Sequence, residues 1–85
     1  MTLWILKARK DLPKDDNPWY PWNDKNFGIV VRASTEERAR ELARDSSSDE
    51  SRRFENAWTS SKYSTCDELP AEGEEDVILI DHHAA

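Results

Sequence analysis

The 85 residues, with a mass of 9.9 kDa, hold one domain at most, and a chain this short buries only a small core. Twelve basic and 18 acidic side chains leave a formal charge of −6, which argues against the non-specific nucleic-acid binding that draws on a basic surface. No apolar run approaches the roughly 18 residues of a membrane helix, the opening MTLWILKARKDLPKDD lacks a secretory-leader pattern, and the single cysteine, Cys66, has no partner for an internal disulfide, so a reducing cytoplasm is the expected compartment.

Residues 2–9, TLWILKAR, are a β-rich run that places Leu3 and Ile5 on one face and Trp4, Leu6 and Ala8 on the other. Residues 11–26 follow as a loop, because Pro13, Pro18 and Pro21 interrupt both ladders and helices. Trp19, Tyr20 and Trp22 crowd into this loop. Two readings stay open for these rings: they fold back to enlarge a small core, or they form an exposed contact patch for a partner. Residues 27–33, FGIVVRA, are predicted to be the central strand, with Phe27, Ile29, Val31 and Ala33 on one side.

Ser34 and Glu37 have capping-box spacing, which predicts a helix over 35–45 with Ala39, Leu42 and Ala43 inward and Glu36 paired with Arg40. A second box at Ser47 and Glu50 predicts a short helix that buries Phe54 and Ala57. The last third reads as a hairpin: a weak strand over 64–69, a turn through Pro70 and Gly73, and a strand VILID over 77–81. His82, His83, Ala84 and Ala85 form a tail over 82–85. The expected fold class is α+β, one domain over 1–85, with an antiparallel sheet of three to four strands packed against one main helix in the order β-β-α-β-β.

Charge is segregated along the chain. Residues 1–62 carry a net +1, whereas residues 63–85 hold Asp67, Glu68, Glu72, Glu74, Glu75, Asp76 and Asp81 with no Lys or Arg, a net −7. Arg38, Arg40, Arg44, Arg52 and Arg53 each have an acid close by in sequence, so their field largely cancels. Acidic runs are ordinarily solvated faces, and general acid–base work needs carboxyls held across a dry cleft.

Catalytic and metal signatures are thin. Asp81-His82-His83 resembles the Asp-His-His signature of a metal-dependent phosphoesterase family, but the upstream Asp ligands and large α/β domain of that family are not matched. Adjacent histidines on extended chain point opposite ways and seldom chelate one ion. Cys66 lacks a recognisable base and orienting group, so no catalytic residue, metal or cofactor is expected. A pocket among Trp58, Tyr63 and Cys66 is the alternative site, suited to a small molecule.

The chain also resembles a group of small bacterial and phage proteins. The resemblance rests on the LWIL strand, the Pro18-Trp19 and Pro21-Trp22 pairs, the block FGIVVRASTEERARELA, KYSTC at Lys62 to Cys66, and VILID. It brings no activity with it. Taken together, the sequence predicts a non-catalytic protein-binding module, an inhibitor or adaptor of phage or mobile-element character. Glu72, Glu74, Glu75 and Asp76 would meet a basic partner surface, and Trp19, Tyr20 and Trp22 would anchor the contact. Alternatives are a small-molecule-binding or enzyme-accessory domain and a small structural homodimer.

Overall fold

The computed structural model describes residues 1–21 and 24–81. Three antiparallel strands form its sheet: β1 (Thr2–Ala8), β2 (Gly28–Ala33) and β3 (Ser64–Glu68), in the order β2-β1-β3. The fold is therefore α+β, with a small antiparallel sheet packed against a helix. The central strand is β1 and not the FGIVVRA segment, which lies at one edge. Strand β1 pairs with β2 along one edge and with β3 along the other.

Helix α1 (Glu36–Asp45) begins one residue later than its capping box predicts. Thr35, not Ser34, is the N-cap, and its hydroxyl accepts from the Arg38 backbone N–H at 3.1 Å. Glu36 and Arg40 form the expected pair at 3.0 Å. Helix α2 (Glu50–Arg53) is a single turn, and Lys14–Asp16 form a 3₁₀ turn in the proline-rich loop. Ser47 caps nothing there; its hydroxyl donates to the Arg44 carbonyl, while Glu50 accepts from the Ser48 N–H.

Strand register sorts the side chains between faces. Trp4 lies opposite Val31, and Leu6 lies opposite Ile29 and Cys66; these face α1. They pack around Trp19, Ala43, Ala57, Trp58 and Tyr63, so aromatic rings supply most of the bulk of this small core. The opposite face carries Leu3, Ile5 and Lys7 from β1, Gly28, Val30 and Arg32 from β2, and Thr65 and Asp67 from β3.

The C-terminal hairpin does not form. Residues 77–81 make no ladder with any strand, so VILID is not a fourth strand despite its β-branched composition. It covers the sheet instead. A Cβ built on Gly28 would meet the Leu79 Cδ1 at 2.6 Å, which places Leu79 against the outer face. Side-chain burial here competes with edge pairing, and only a residue without Cβ admits Leu79 so closely. Ile5, on that outer face, is only 6% exposed.

Candidate functional site

Residues 69–81 form an acidic segment fixed at both ends of the outer face. At one end the Leu69 N–H donates to the Leu3 carbonyl at 2.8 Å. At the other, Leu79 rests on Gly28, which β1 pairs with Lys7. The segment thus returns along the sheet over the distance from Leu3 to Lys7, about 13 Å at strand spacing. Glu72, Glu74, Glu75 and Asp76 lie between the anchors, and all four are exposed. None forms an ion pair or side-chain hydrogen bond among the described residues. The space around Gly73 is open to at least 4 Å, so the bend stands clear of the rest of the chain. The carboxylates lie on an irregular loop rather than a hairpin turn.

The aromatic loop divides. Trp19 is fully buried, and its ring meets Trp58 edge-on with centroids 5.2 Å apart. Its indole N–H donates to the Asn26 carbonyl at 2.6 Å, and its backbone N–H donates to Asn17 Oδ1 at 2.9 Å. These contacts correct the expectation of a partner anchor: Trp19 is core, and both its N–H groups are satisfied inside. Tyr20 remains 40% exposed, with the Lys14 ammonium 5.3 Å from its ring centroid. Trp22 lies outside the described residues, as do His82 and His83.

Trp58 and Tyr63 belong to the core cluster, and Cys66 packs against it. Trp58 is fully buried, and the Tyr63 ring packs edge-on against Phe54 at 5.5 Å. An open groove of about 360 Å³ lies elsewhere, at the end of the sheet between Leu3, Arg32 and the Leu69-Pro70-Ala71 turn.

The Tyr63 hydroxyl emerges from the core and donates to Asp16 Oδ1 at 2.6 Å, while Lys62 Nζ lies 2.6 Å from Asp16 Oδ2. The hydrogen bond from Lys62 and then that from Tyr63 hold the Asp16 carboxyl below its ordinary value. The same Asp16 contact raises Lys62, and for Tyr63 the hydrogen bond to Asp16 holds the phenol protonated above its usual range. This trio clamps the proline-rich loop to the start of β3, and it contains no group poised to take up a proton at neutral pH. Burial pushes the Cys66 thiol up despite the nearby Arg40 charge, so it rests as a neutral sulfhydryl. Among the described residues no three His, Cys, Asp or Glu side chains converge on a metal-sized site. No helix among them is long and apolar enough to cross a membrane.

Two ionisable residues, which the sequence assigns to a capping box (Glu50) and to a helix ion pair (Arg40), are buried. Glu50 is fully buried and accepts from the Trp58 indole N–H at 2.8 Å, the Asn26 N–H at 3.1 Å and the Ser48 N–H at 3.2 Å. Arg40 is also buried. Besides Glu36 it donates to the Trp58 carbonyl at 2.9 Å, and to the Ser64 hydroxyl and carbonyl at 3.0 and 3.2 Å. Arg38, Arg44 and Arg52 pair with Glu41, Asp45 and Asp49, so their side of the molecule has little net field. The basic side chains that do stay unpaired among the described residues include Lys7 and Arg32, both on the outer face.

Comparison with protein-family models, with curated proteins and with solved structures gives no match for this chain.

Proposed function

We propose that the protein is a non-catalytic protein-binding module, an inhibitor or adaptor that presents Glu72, Glu74, Glu75 and Asp76 to a basic surface on its partner. One observation carries this reading: the four carboxylates stand exposed and unpaired among the described residues, on a segment tied down at Leu69 and at Leu79. An anchored loop loses less conformational freedom on binding than a free acidic tail, and its charge accelerates encounter with a basic groove. Tyr20, beside the buried Trp19, is 40% exposed. The phage or mobile-element character suggested by LWIL and the FGIVVRASTEERARELA block belongs to the same proposal, as does a cytoplasmic setting for Cys66.

The test is affinity capture from cell lysate at about 0.15 M and about 0.5 M salt, where the Debye length shrinks from about 8 Å toward the 3 Å of 1 M salt. The expected result is a specific protein retained at the lower salt and released at the higher. The variant with Glu72, Glu74, Glu75 and Asp76 all changed to Lys should lose it while keeping the wild-type circular dichroism. Undiminished capture by that folded variant removes the role of the acidic segment.

A further inference from the structure

We propose that the outer face of the sheet, with the 77–81 segment lying on it, is the interface of a homodimer, and that its occupant is a second copy of this chain. This goes beyond the partner binding inferred above and does not depend on it. The apolar side is direct. Val30, Val77, Ile78 and Ile80 are 48, 69, 46 and 73% exposed. Leu79, between the two isoleucines, is seated on Gly28, and Val30 follows Gly28 by two residues on the same face. Leu79 and Val30 therefore lie on the same outer face, and the exposed Val77, Ile78 and Ile80 neighbour Leu79 along the chain. Monomeric proteins seldom leave a contiguous aliphatic patch with a charged border uncovered.

The charge around this patch identifies the occupant. Lys7 and Arg32 stand toward opposite ends of the outer face, paired across the ladder with Gly28 and Leu3, and both are exposed without an ion pair among the described residues. The segment crossing between those ends holds Glu72, Glu74, Glu75 and Asp76, equally without partners among the described residues. Unmet charges of both signs thus border one apolar surface. An isologous two-fold contact sets each copy's carboxylates against the other's Lys7 and Arg32 while the aliphatic side chains meet near the axis. A surface complementary to itself in charge and apolar in the middle is matched by its own copy.

Sedimentation from about 1 to about 200 µM tests this, because association follows concentration. The expected mass rises from the 9.9 kDa of the single chain toward twice that value. The Ile78→Glu/Ile80→Glu double variant should remain monomeric throughout with unchanged circular dichroism. Two charge variants add a test that loss of folding cannot imitate. Lys7→Glu/Arg32→Glu and Glu74→Lys/Glu75→Lys/Asp76→Lys should each be monomeric alone and should associate when mixed in equal amounts. A wild-type chain still monomeric at the top concentration overturns the proposal. So does a dimer that survives Ile78→Glu/Ile80→Glu, or a charge-exchanged mixture that does not associate. Because Ile78→Glu/Ile80→Glu keeps all four carboxylates, its capture of a lysate protein separates failure of the dimer from failure of the partner-binding reading.

Discussion

Glu50 sets the terms of the core at the level of single residues. A fully buried carboxyl group holds its place here through three donors and no cation among the described residues, and one donor is the indole N–H of the equally buried Trp58. Glu50→Gln keeps the shape but cannot keep the bonding, since the amide NH₂ must face either Trp58 Nε1–H or the two backbone N–H groups. The expected loss is about 1–3 kcal/mol in urea denaturation, the cost of an unpaired buried polar group. Trp58→Phe removes the opposing donor, so Glu50→Gln should cost clearly less in that background. Equal costs in both backgrounds would show that the indole contact carries no coupling. None of this is legible from the local pattern around Ser47 and Glu50. Capping-box spacing reads only neighbours in sequence, and two of the three donors, Asn26 and Trp58, come from segments that meet Glu50 only on folding. Trp19 teaches the same lesson in reverse. Proline on both sides signals an exposed loop, but the ring's burial depends on acceptors at Asn17 and Asn26.

The elements are joined by side chains more than by their own length. Arg40 ties α1 to the segment entering β3 through Trp58 and Ser64, and Asp16 ties the proline-rich loop to the same place through Tyr63 and Lys62. The Asp16 clamp has a definite pH dependence. Its folded carboxyl lies below the ordinary 3.8, so its stabilisation is fully present above the unfolded value and is lost as pH falls through the folded one. Asp16→Asn should therefore flatten the decline in urea midpoint between about pH 5 and about pH 2. A decline as steep as that of the wild type would assign the acid sensitivity elsewhere. Strand and helix positions were well marked in the sequence, because the β-prone apolar composition of LWIL and FGIVVRA and the acidic first turn of α1 are local signals. Strand order was not. That β1 is central follows from which edges accept β2 and β3, a long-range choice that neither segment's own residues encode. VILID misled for the same reason, since β propensity says that a segment suits a sheet without supplying an edge for it.

For the whole molecule, the seat of Leu79 on the outer face depends on a single missing side chain. Gly28→Ala puts a carbon where Leu79 now lies, 2.6 Å from its Cδ1, so Leu79 must shift and the 69–81 segment should loosen while the three-stranded sheet remains. Cleavage by a Glu-specific protease after Glu72, Glu74 or Glu75 should become several-fold faster, with the circular dichroism of the sheet and helix unchanged. An unaltered digestion rate would mean that the contact at Gly28 does not hold the segment. The strand order has a further consequence, in time rather than space. β1 precedes both of its partners in the chain, so during synthesis its Leu, Ile and Trp side chains emerge with neither edge covered. β2 follows after about twenty residues, but β3 begins only at Ser64. At roughly 5–20 residues per second the strand that becomes the middle of the sheet waits several seconds for its second neighbour. During that interval a β1–β2 pair with an open edge is the species most exposed to wrong pairing, and the 69–81 segment that lies on the outer face follows β3.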